Sequence, residues 1–192
     1  MAVEHETLAA MLGTVGDAVR VRRPPDGMQT RVIAVDGLGG AGKSSFAAHL
    51  SVSLGGAEIA HTDDFASWDN PTEWWPELIE HLLVPLSRNR VARFERSPWG
   101  SDDRGWAEVR PAEFVILEGV TSSRAAFRPF LTYSVWIETP SELRLRRGLE
   151  RDGDEALGQW ESWMAEEERY AAAERPDANA DLVVRGDRDL WT

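Results

Sequence analysis

Apolar residues recur along the chain with two different periods, and the switch between them predicts the architecture. Leu8, Met11, Leu12, Val15 and Val19 return at helical spacing, which predicts one amphipathic helix within residues 1–20 of an N-terminal helix and linker, 1–28. Pro24-Pro25-Asp26-Gly27 then breaks the chain. Arg31-Val-Ile-Ala-Val-Asp36 is a continuous apolar run, the pattern of a strand buried on both faces. A glycine-rich turn follows it, and then a helix from Ser44 to Leu54 closed by Gly55-Gly56. Glu58-Ile-Ala-His61 is a second short strand, ending in Thr62-Asp-Asp-Phe65. From Thr72 to Arg88, Trp75, Leu78, Ile79, Leu82, Leu83 and Leu86 have helical spacing, with Pro71 near the start. Residues 91–112 are polar, aromatic and irregular, and read as a loop-rich insert over a pocket. Phe114-Val-Ile-Leu117, Tyr133-Ser-Val-Trp-Ile137 and Leu182-Val-Val184 are further strands. Between the last two lie an arginine-rich helix opened by Thr139-Pro-Ser141 and a long helical stretch, Glu155 to Glu174. Strands that alternate with helices predict a mainly parallel sheet covered on both faces.

Composition narrows the partners. The 192 residues suit one compact α/β domain. A formal net charge of −12 argues against a broad nucleic-acid footprint, so any anionic ligand needs a local, shaped positive site. With no cysteine, disulfides, thiolate metal sites and thiol nucleophiles are excluded. No apolar run reaches the length of a membrane span and no signal segment opens the chain, so the expected location is cytoplasmic. Of the 21 basic side chains, Lys43 alone is lysine. Lysine is a compact point charge where arginine is a planar fork. Its retention at one position points to a site that the fork does not fit; chance placement is the alternative.

That position completes Gly37-Leu-Gly39-Gly40-Ala41-Gly42-Lys43-Ser44, which has the Walker A spacing and is followed by Ser45. Backbone N–H groups must converge on phosphate oxygens without Cβ atoms in the way, hence the glycines. The helix that follows adds its N-terminal N–H groups and dipole. Lys43 would reach the β- and γ-phosphates and the Ser44 hydroxyl would ligate Mg²⁺.

Three weaker features point toward phosphoryl transfer. Asp63 and Asp64 follow the second strand, where a carboxylate can take the proton of an attacking hydroxyl; a solvated turn cap is the alternative. Asp69 is placed either to hold substrate hydroxyls or to cap the helix after Pro71. Glu118 ends the strand 114–117, where it would sit near Mg²⁺ directly, act through water, or bind substrate. Arg144, Arg147 and Arg151 fall at i, i+3 and i+7 on one helical face, beside Arg146. Like charges on one face await an anion, or pair with Glu142, Glu150 and Asp152.

Together these stretches resemble the uridine kinase family of P-loop nucleoside kinases. The matching residues are Val35 to Ser45, Asp63-Asp-Phe65, Trp68-Asp-Asn-Pro71, Val115-Ile-Leu-Glu-Gly119, Arg144 to Asp152 and Ala180 to Val184, in family order. The resemblance implies a P-loop NTPase fold, an α/β arrangement with a five-stranded parallel sheet and a lid, here short and within 143–170. It implies ATP and Mg²⁺ as cofactors and a small-molecule hydroxyl acceptor, with a nucleoside favoured. Asp63 looks like the general base, Asp69 like the ribose-hydroxyl binder, and Arg147 and Arg151 like lid-side arginines. Phe65, Trp99 and Glu118 fall on the substrate side. Two departures stand out. Gly153-Asp-Glu-Ala156 replaces the further arginines of the family lid, and Phe94 to Trp99 lacks the tyrosine and histidine of the base-binding segment. Trp68, Trp74, Trp75, Trp99 and Trp106 instead offer an apolar acceptor wall, with Trp75 expected in the core. Other readings are a kinase for a non-nucleoside alcohol, a nucleoside-monophosphate kinase, and a nucleotide-binding regulatory protein with weak ATPase activity.

Overall fold

The computed structural model describes residues 7–66, 73–96 and 105–187. Its helices are α1 (Leu8–Val21), α2 (Lys43–Ser53), α3 (Trp75–Leu78), α4 (Val84–Ser87), α5 (Ser141–Asp152), α6 (Leu157–Glu174) and α7 (Pro176–Asn179). Its strands are β1 (Arg31–Asp36), β2 (Glu58–His61), β3 (Ala92–Glu95), β4 (Trp106–Val109), β5 (Phe114–Glu118), β6 (Leu131–Glu138) and β7 (Leu182–Arg185). Five strands form one sheet in the order β2-β5-β1-β6-β7, and every neighbouring pair is parallel. The α/β fold read from the sequence is therefore the observed one.

The sheet explains why β1 and β5 carry uninterrupted apolar runs. Ile33, Val35 and Ile116 face a core built with Met11, Val15 and Val19 of α1 and Phe46 and Leu50 of α2. Their neighbours Val32, Val115 and Leu117 face the opposite core, with Leu78, Leu82, Leu83 and Leu86. Adjacent residues thus leave the strand on opposite sides, and each finds a helical layer rather than water.

Two elements differ from expectation. The helix read from 72 to 88 is interrupted by a π turn at Ile79–Leu83, where Val84 N–H donates to Ile79 O, five residues back. Pro85 gives the reason: it has no N–H, and its ring would strike the carbonyl four residues earlier in a regular helix. The second difference lies in residues 91–112. Strands β3 and β4 pair there as an antiparallel ribbon, with Ala92 opposite Val109 and Phe94 opposite Ala107. These four side chains are buried in the second core, while Arg93 and Glu108 pair outward at 3.4 Å. The inward residues alternate with polar ones, and that alternation makes a strand pair out of a segment expected to be loop.

After β6, α5 and α6 fold back on each other through Gly153 and a 3₁₀ turn at Asp154–Ala156. The close approach depends on Gly148, because a Cβ there would overlap the Trp160 ring. This helix pair occupies the stretch expected to form the lid.

Candidate active site

Because the strands are parallel, β1, β2 and β5 end on the same edge, and their last residues and following turns meet there. The turn after β1 is the glycine-rich loop. Gly40 and Gly42 hold φ of +73° and +100°, which a side chain would strain. Gly42 caps α2 in the left-handed region with no side-chain cap, leaving the first N–H groups of the helix directed at the loop. Lys43 is 8 % exposed, and its Nζ donates to Leu38 O at 3.1 Å.

Asp36, the last residue of β1, anchors this loop. Its Oδ1 accepts from Gly37 N (2.7 Å) and Thr121 N (3.0 Å). Its Oδ2 accepts from Ser123 N (2.9 Å), Ser123 Oγ (2.6 Å) and Tyr170 OH (2.7 Å). Burial pushes its carboxyl above the ordinary carboxylate range, against the pull of those donors. Five donors converge on one carboxylate, and they tie the phosphate loop to the turn after β5 and to α6. Thr121 holds φ +67°, costly for a β-branched residue, and its N–H is one of the five.

Glu118 ends β5 and stands against α2. Its Oε1 accepts from Ser44 Oγ at 3.1 Å, and its Oε2 is 2.6 Å from His61 Nδ1, at the end of β2. Burial works to raise the Glu118 pKa, but the His61 hydrogen bond, the Lys43 charge and the Ser44 hydroxyl outweigh it and hold the carboxyl below its ordinary value. The His61 pKa is raised, first by its hydrogen bond to Glu118 and then, against burial, by the carboxylates of Glu118, Asp64 and Asp63. A hydroxyl beside an ionised carboxylate is the hard oxygen donor set that Mg²⁺ takes. Among the described residues no group of three or more His, Cys, Asp or Glu could hold a metal ion. An ion held by Ser44 and Glu118 would draw its remaining ligands from phosphate and water.

Asp63 lies in the 3₁₀ turn after β2. Burial raises its pKa, Glu118 raises it further, and Lys43, His61 and Arg151 act against them. It lines a cleft of about 800 Å³ together with Gly39, Gly40, Gly42, Lys43, Ser44 and Ser45. Glu118, Arg147 and Arg151 line the same cleft. Arg147 donates to Gly40 O (3.3 Å) and Gly186 O (3.0 Å), and Arg151 forks onto Asp152 at 2.7 and 2.8 Å.

Other sequence candidates fall elsewhere. Gly37 and Ala41 belong to the loop's packed underside, with Ala41 fully buried. Phe65 turns into the second core, its ring 4.5 Å from Phe94 and 6.3 Å from Trp74. Arg144, expected to share an anion-binding face with Arg147 and Arg151, is instead buried against Glu167 (3.4 Å) and Glu168 (3.8 Å). Trp74 is buried on the cleft wall, whereas Trp75 packs half-buried under Arg124 and Trp106 is exposed. Asp69, Trp68 and Trp99 lie outside the described residues. Sequence reasoning missed Asp36, His61, Trp160, Glu167 and Tyr170. Only Asp36 gave a signal, an acid closing a strand otherwise buried on both faces.

The strand order, the loop and the cleft at the carboxyl edge define the P-loop class of nucleotide-binding folds. A structure described as a possible uridine kinase from Bacillus stearothermophilus matches 92 % of this chain and 98 % of its own, at 19 % identity and a TM-score of 0.68. A "putative fructose transport system kinase" from Silicibacter sp. TM1040 matches 93 % and 99 %, at 19 % identity and a TM-score of 0.65. At such identities the likeness establishes the fold. No family model matches the chain, and no curated protein does.

Proposed function

We propose that the chain is a Mg²⁺-ATP-dependent kinase that transfers the γ-phosphate to a hydroxyl of a small molecule. The observation that carries the reading is the meeting of Asp63 with Lys43 and the loop in one cleft. A raised carboxyl pKa moves Asp63 toward the value at which a base both holds and releases a proton near neutrality. Asp63 takes the proton of the acceptor hydroxyl as its oxygen attacks the γ-phosphorus and the bond from that phosphorus to the β–γ bridging oxygen breaks, so that ADP leaves with the bridging oxygen. The loop amides and Lys43 hold the β- and γ-oxygens, and Arg147 and Arg151 face the charge that spreads over the transferring group. Ser44 and Glu118 would hold Mg²⁺, which would supply positive charge against the phosphate oxygens. The two structures described above carry kinase names, one a "possible uridine kinase" and one a "putative fructose transport system kinase". A nucleoside of the uridine or cytidine type is the favoured acceptor, on the order of the motifs along the chain; an alcohol or sugar of similar size is the alternative.

A second reading is a regulatory nucleotide binder that hydrolyses ATP slowly. The acids on the lid side of the cleft, Asp152, Glu155, Glu166 and Glu167, favour it. ADP release from Mg-ATP across a panel of nucleosides, sugars and small alcohols separates the two. A kinase shows release that rises and saturates with one acceptor class. Release at the same slow rate with every compound supports the regulator and sinks the kinase.

A further inference from the structure

Helix α6 carries a carboxylate into the phosphate loop. Glu167 Oε2 accepts from Gly39 N–H at 2.9 Å and from Arg144 Nη1 at 3.4 Å, and 12 % of the Glu167 side chain is exposed. Trp160, two turns earlier on α6, presses on the same glycine, since a Cβ on Gly39 would meet both the Trp160 ring and the Glu167 carboxylate. Tyr170, one turn later, is fastened to Asp36 just before the loop. The helix is thus laid across the loop by three side chains.

The seat that Glu167 fills has the chemistry of a phosphate site. A loop amide faces it. Burial raises its pKa, Lys43 and Arg144 draw its charge, and the Asp63 carboxylate repels it. Lys43 and Asp63 are the groups that the kinase reading sets on the two sides of the transferring phosphate. Arg144 adds an independent sign: it is 3 % exposed, and its Nε has no hydrogen-bond partner among the described residues. A guanidinium buried with unused donor capacity stands directly behind the anion seat.

We propose that Glu167 is an internal competitor of the nucleotide, its carboxylate held on the Gly39 amide where the terminal phosphate of a nucleoside triphosphate must displace it. The proposal rests on the loop as a nucleotide site and is independent of the acceptor. Displacement lifts α6 from the loop and leaves the Arg144 guanidinium beside the incoming phosphate. Affinity for triphosphate is thereby set by a residue on the lid rather than by the loop alone.

Calorimetric binding of ATP, ADP and inorganic tripolyphosphate to the intact chain tests this without any turnover. Glu167→Gln removes the charge and keeps the shape; Glu167→Ala removes both, and thermal melting identifies which variants are folded. Loss of a charge-assisted contact that the ligand otherwise has to break tightens ATP and tripolyphosphate about tenfold or more. ADP, without the terminal phosphate, gains less. Unchanged or weaker ATP binding in a folded variant overturns the proposal, as does an equal gain for ADP. If ATP binds wild type and variants alike, only the Glu167 assignment falls; if ATP binds none of them, the nucleotide-site reading falls with it.

Discussion

Removing one hydroxyl, in Tyr170→Phe, probes whether Asp36 locks the phosphate loop to α6. The phenol donates at 2.7 Å to a carboxylate with no solvent exposure. Hydrogen bonds to charged groups contribute about 1.5–3 kcal/mol net, and four other donors remain on Asp36, so a loss of about 2 kcal/mol is expected. For a chain of this length that corresponds to a drop of about 4–8 °C in Tm. The pH dependence has a definite sign. Burial raises the Asp36 pKa in the folded chain, so Asp36 begins to oppose folding as pH rises through its unfolded value, opposes it fully above the raised folded value, and does not oppose it below the unfolded value. Tyr170 holds the charged form and lowers the folded pKa, so its loss hurts at neutral pH, and the deficit shrinks as pH falls and Asp36 protonates. Urea denaturation of both proteins at neutral and acidic pH measures it. A deficit below about 0.5 kcal/mol, within the range of ordinary surface changes, or one that does not vary with pH, would refute the reasoning.

Other substitutions test neighbouring links. Gly148→Ala forces a methyl into the Trp160 ring and should cost about 1–3 kcal/mol in urea unfolding; a neutral effect would mean that α5 and α6 are not packed as described. Phe46→Ala opens a fully buried site under the sheet and should cost about 3–5 kcal/mol by the same measurement. Lys43→Ala should abolish detectable tripolyphosphate binding, and it should also lower Tm, because the Lys43 charge offsets the buried carboxylates of Asp63, Glu118 and Glu167. Asp63→Asn should raise Tm at neutral pH, since burial has raised the Asp63 pKa and a neutral amide escapes that cost; the gain should fade as pH falls from the raised value toward the ordinary aspartate value and be absent below it.

The sheet and the loop were legible because each depends on local pattern. A strand buried on both faces must be apolar throughout, and a phosphate loop needs glycines at fixed offsets, so β1, β5 and residues 37–44 declare themselves. The β3–β4 ribbon did not, because its strands are four residues each and the alternation of Ala92 with Phe94 is too brief to stand out among polar neighbours. The arginines of α5 show the limit of helical spacing. Arg144, Arg147 and Arg151 share a face, but what they meet is decided by α6, which sets Glu167 and Glu168 against Arg144 alone. Glu167 and Tyr170 were silent for the same reason. On a helix rich in acids, nothing local separates the carboxylate that reaches the loop from those that reach water.

In the proposed mechanism, Asp63 is the base facing the loop-bound triphosphate. Once the acceptor panel has named a substrate, acceptor-dependent ADP formation and ATP affinity should be measured together in Asp63→Asn. Turnover should fall by about 10²–10⁴-fold, the usual contribution of a general base, while ATP binds within a few-fold of wild type. Turnover that persists at the wild-type rate in the folded variant would contradict the account.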